Sequence, residues 1–90
     1  MPRYLVERNY PDGLGLPINE AGARLVATVI SNNLQEGVTW VHSYVTPDRK
    51  KSYCIYDAPN PEAIRTTAQR SGLPADRIEE VRVLDPYFLK

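Results

Sequence analysis

The chain has 90 residues, with 11 Lys and Arg balanced by 11 Asp and Glu, which fits one domain spanning 1–90 and leaves no room for a second. Zero formal net charge lacks the positive field of a nucleic-acid binder, and no apolar run approaches the ~18–20 residues that span a bilayer. A single cysteine excludes an internal disulfide, so a domain this small is expected to supplement its thin core with a metal or a second subunit.

The lone thiol suits a reducing compartment. The start Met1-Pro2-Arg3-Tyr4-Leu5-Val6-Glu7 has its charges too early for the apolar region of a secretion signal. A cytoplasmic protein is expected.

Arg3 to Asn9, with Tyr4, Leu5 and Val6 at its centre, reads as the first strand. Pro11-Asp12-Gly13, Gly15 and Pro17 break it, and the loop to Asn19 is long enough to contact a ligand or partner. Asn19 caps a predicted helix running to about Leu34, with Ile18 placed as a hydrophobic staple. Its apolar residues Leu25, Val26, Val29 and Ile30 fall at helical spacing, and Asn32, Asn33 and Gly37 mark its end. Val38 to Thr46 is almost wholly β-branched or aromatic and reads as a strand. Pro47-Asp48-Arg49-Lys50 makes a turn, and Lys51 to Ala58 returns as the second arm of a hairpin. Asn60 and Pro61 begin a second helix that Gly72 ends. Ile78 to Asp85 is the last strand, and Tyr87-Phe88-Leu89 is an apolar tail.

Strand, helix, strand, strand, helix, strand is the split βαβ pattern. It predicts an α+β ferredoxin-like βαββαβ sandwich, a four-stranded antiparallel sheet with both helices on one face. The other face is bare. Pairing Thr46 with Lys51 sets Tyr44 against Tyr53, His42 against Ile55 and Trp40 against Asp57. Alternation then puts those six on one face and Val41, Ser43, Val45, Cys54 and Tyr56 on the other. The bulky set is assigned to the bare face, together with Leu5 and Glu7. A Trp and two Tyr there exceed what a monomer comfortably exposes, so a homodimer is expected, two sheets stacked as a dimeric α/β barrel.

His42 is the only histidine. One reading satisfies it with a neighbouring hydroxyl or carboxylate. A second makes it a metal ligand with Glu7 and Asp57, an N and O donor set that suits nickel, cobalt or zinc, although no His-x-His, Cys-x-x-Cys or His-Glu-x-x-His spacing is present. A third makes it the general base of a small-molecule binder or cofactor-free enzyme, with Trp40, Tyr44 and Tyr53 as pocket walls. Cys54 points beneath the helices and reads as a small hydrophobe.

The segments 2–8, Gly37-Val38-Thr39-Trp40-Val41-His42-Ser43-Tyr44-Val45, Asp57-Ala58-Pro59-Asn60-Pro61-Glu62-Ala63-Ile64-Arg65 and Glu80-Val81-Arg82-Val83-Leu84-Asp85-Pro86-Tyr87 carry a resemblance over nearly the whole chain. The chain resembles a family of short bacterial proteins of unassigned function related to an actinobacterial nickel-binding ferredoxin-like protein. The resemblance implies a dimer that binds Ni2+ for sequestration or homeostasis. His42, Glu7 and Asp57 lie in matching segments, whereas the 11–19 loop departs most from the family pattern.

Overall fold

The computed structural model describes residues 1–15 and 19–87. Its elements are β1 (Arg3–Asn9), α1 (Glu20–Gln35), β2 (Thr39–Val45), β3 (Lys51–Asp57), α2 (Pro61–Ser71) and β4 (Arg77–Val81). The sheet order is β2-β3-β1-β4 with every neighbouring pair antiparallel, the ferredoxin-like arrangement expected from the βαββαβ order. The expected staple at Ile18 and the tail residues Phe88 and Leu89 lie outside the described residues.

Alternation decides which side of each strand is buried. Along β1, Tyr4, Val6 and Arg8 are buried and Arg3, Leu5 and Glu7 half-buried; along β3, Ser52, Cys54 and Tyr56 are buried and Lys51, Tyr53, Ile55 and Asp57 half-buried. The register Tyr4↔Tyr56 and Val6↔Cys54 lines the buried sets up on one face. Ala63 and Ile64 of α2 close over them, with Val38 and Ala58 completing the core.

Both helices start as their caps dictate. The Asn19 side chain accepts the Gly22 N–H at 3.1 Å and the Asn60 side chain accepts the Ala63 N–H at 2.9 Å, each filling one orphan donor of a first turn. Gly72 ends α2 at φ 67°, a left-handed position that glycine adopts without steric cost. The two helices pack unequally. α2 buries Ala63, Ile64, Thr67 and Ala68, whereas α1 buries only Gly22 and Asn33. Of the expected α1 stripe, Val26 and Val29 are half-buried, while Leu25 and Ile30 are exposed. α1 stands off the sheet.

Beyond one-residue differences at strand ends, the end of β4 and the hairpin register differ from expectation. β4 stops at Val81 rather than Asp85, because its partner runs out: Val81 opposes Arg3, the first residue of β1, and Pro2 before it has no N–H to extend the ladder. In the hairpin, Tyr44↔Tyr53 and His42↔Ile55 pair as expected, but the register shifts between Trp40 and His42 and Trp40 opposes Tyr56 instead of Asp57. The extra residue is Val41. Such a β-bulge sets two residues against one and breaks strict alternation.

Candidate functional site

The bulge divides the expected aromatic face. His42, Tyr44, Tyr53 and Ile55 stay together on the face turned from the helices, with Leu5 and Glu7 beside them across β3. Tyr44 is 63% exposed, and its ring meets the exposed His42 imidazole edge-on, centroids 5.1 Å apart at 82°, a favoured aromatic geometry. Trp40 is not with them. It opposes the buried Tyr56 and packs against the core beneath the helices, where its indole N–H donates to Ser43 Oγ at 2.8 Å. The expectation of Trp40 on the bare face is thereby corrected: one inserted residue reverses its direction.

The donors expected around His42 do not converge within one chain. Glu7 opposes Tyr53, which opposes Tyr44, so Glu7 and His42 lie two strands apart and two residues out of step. Strand and residue spacings put them on the order of 10 Å apart. Glu7 instead lies 3.9 Å from Lys51 Nζ. Asp57 is one strand from His42 and two residues along, and it accepts two hydrogen bonds from the Arg3 guanidinium at 2.9 and 3.2 Å. That forked contact holds the Asp57 carboxyl below the usual carboxylate range. Among the described residues no three His, Cys, Asp or Glu side chains gather as a metal site. A single chain therefore does not form a closed site from His42, Glu7 and Asp57.

A second feature lies on the opposite face. Because α1 stands off the sheet, a cavity of about 300 Å³ remains between Val26 and Val29 of α1 and Trp40, Cys54 and Tyr56 of the sheet. His42, Tyr44 and Tyr53 do not line it, so the reading of His42 as base in an aromatic pocket walled by Trp40, Tyr44 and Tyr53 is not what the fold builds. Arg8 does line it. The Arg8 side chain is 2% exposed. Its Nη1 donates to the Tyr56 hydroxyl at a long 3.4 Å, the guanidinium carbon sits 5.6 Å from the Tyr56 ring centre, and Nε has no partner. Burial pushes the Tyr56 hydroxyl up to about 12. Parity with Tyr4 and Val6 along β1 was the signal that Arg8 points inward, and sequence reasoning did not use it.

No described helix is long and apolar enough to cross a membrane. The fold is similar to that of the crystal structure of SCO4226 from Streptomyces coelicolor A3(2), with a TM-score of 0.68 at 20% identity over 90% of this chain and 96% of that one. No curated protein matches the chain. Residues 4–81 match the family described as nickel responsive protein SCO4226-like, and the chain belongs to that family.

Proposed function

We propose that this chain is a nickel-binding protein that acts as a homodimer in the cytoplasm, sequestering the ion or buffering its supply. The reading is carried by His42. The only imidazole in the sequence is exposed on the sheet face that no described helix covers, with Tyr44, Tyr53 and Ile55 around it. An imidazole nitrogen suits nickel, and membership in a nickel responsive family supports that ion ahead of cobalt and zinc. The donors of one chain stand apart, so a second copy stacked on this face brings the remaining ligands. Glu7 and Asp57 are carboxylates on the same face, as is Glu79 opposite Leu5. Stacking also covers the aromatic surface, whose burial favours association at ~25 cal/mol per Å².

Calorimetric titration with Ni2+, run alongside sedimentation, tests the reading. Saturable binding is expected, weakened by about tenfold or more in His42→Ala, the loss of one ligand bond. Binding should also weaken on dilution below the dimer threshold. Wild-type chain that takes up no nickel overturns the function. A His42→Ala variant binding as tightly as wild type removes the site assignment.

A further inference from the structure

Arg8 is a permanently charged group lining a cavity, and it has no counter-ion among the described residues. The ion pairs among the described residues join Arg3, Arg24, Lys51, Arg65, Arg70 and Arg77 to carboxylates, and Arg8 is in none of them. The Tyr56 ring covers one face of the guanidinium. One in-plane donor, on Nη1, reaches the Tyr56 hydroxyl at a long 3.4 Å, and the buried Nε–H meets no acceptor among the described residues. A buried cation left so is costly to fold around. Its donors form a planar fork, the shape that takes up a carboxylate in two parallel hydrogen bonds.

The surroundings give the rest of the ligand. Ser52 opposes Arg8 on the neighbouring strand, and its hydroxyl lies 3.2 Å from that of Tyr10. Both residues line the same cavity as Arg8, so two hydroxyl-bearing side chains share it with the guanidinium. The apolar part of the lining includes Val26, Val29, Leu73 and Trp40. One charge and a few hydroxyls against an apolar remainder is the pattern of a small-molecule site. The volume of about 300 Å³ equals roughly ten water volumes at ~30 Å³ each.

We propose that this cavity binds a small organic monocarboxylate of about ten heavy atoms in all, its carboxylate on Arg8 and its apolar body between Trp40 and the valines of α1. The site is independent of the nickel reading, because His42 projects from the other face of the sheet. A phosphate or other polyanion is disfavoured, since one guanidinium among apolar walls matches a single charge.

Trp40 is the only tryptophan and lines the cavity, so its emission reports occupancy. The full chain is titrated with sodium octanoate, with 1-octanol as the same body without charge, and with acetate as the charge without body. Octanoate is expected to give a saturable change. Octanol should bind about tenfold more weakly or worse, the loss of one charge-assisted hydrogen bond, and acetate should not saturate. Arg8→Met should keep the circular dichroism of the wild type and lose the preference for octanoate over octanol. Val29→Phe, which fills the cavity while leaving Arg8 in place, should weaken both ligands, and it decides the matter if Arg8→Met does not fold. No saturable octanoate response in the millimolar range, equal binding of octanol, or undiminished octanoate binding in either folded variant overturns the proposal.

Discussion

Trp40 and Ser43 are three residues apart on one strand, yet the indole N–H of the first donates to the hydroxyl of the second at 2.8 Å. Regular alternation forbids this, since residues at odd spacing point to opposite faces. The Val41 bulge permits it by inserting one residue between Trp40 and His42. Ser43→Ala leaves the indole donor without this partner in a half-buried site, and is expected to cost about 1 kcal/mol in urea unfolding followed by Trp40 emission. A variant as stable as wild type would show that water replaces the hydroxyl without loss.

Ile64 of α2 is 1% exposed, within the cluster of Tyr4, Val6 and Tyr56, whereas Leu34 of α1 is 70% exposed. Ile64→Ala should therefore cost about 2–5 kcal/mol through lost burial and the void left behind. Leu34→Ala should change stability by less than about 0.5 kcal/mol. Chemical denaturation of the two variants side by side checks the contrast. Similar losses at both sites would mean that Leu34 is covered in solution, as it would be in an assembly using α1.

The Arg3 fork lowers the Asp57 pKa from its ordinary value of 3.8, and a lowered carboxylate stabilises the fold above that value. The contribution is lost as pH falls through the lowered pKa. Asp57→Asn should thus be less stable than wild type near neutrality, by at most about 1 kcal/mol because the pair is part-exposed. The difference should shrink as pH drops below about 4, read as converging melting temperatures. A gap that stays constant into acid would assign it to packing and not to charge.

At the alkaline end, burial holds the Tyr56 phenol protonated to about 12 against an ordinary 10.0. The unfolded chain releases that proton first, so stability declines as pH rises from about 10 to about 12. Ultraviolet titration of the native protein should show one of its six tyrosines ionising last. Tyr56→Phe should remove that last step. Its persistence in the variant would assign the step to another residue.

Much of the fold was legible because its signals are local. Asn19, Asn60 and Gly72 cap helices through bonds and dihedrals that involve a few neighbouring residues. The hairpin register at Tyr44 and Tyr53 follows from the turn at residues 47–50. Parity along β3 then separates Cys54 and Tyr56 from Tyr53 and Ile55, as expected. Trp40 escaped this logic, since nothing in the run Trp40-Val41-His42 marks an insertion. Both α1 valines were foreseen on the inner stripe, but not the gap they leave above the sheet.

By itself the sequence determined the order of elements, the two capped helices, the antiparallel hairpin and the faces of β1 and β3. These depend on backbone preferences and on the two-residue repeat of a strand. Only the tertiary structure decided that Trp40 turns inward, that Glu7 and Asp57 pair with cations away from His42, and that Arg8 lies buried with no carboxylate partner among the described residues. Which groups meet across strands, and which meet nothing, depends on the summed packing of distant segments. No local residue pattern encodes that sum.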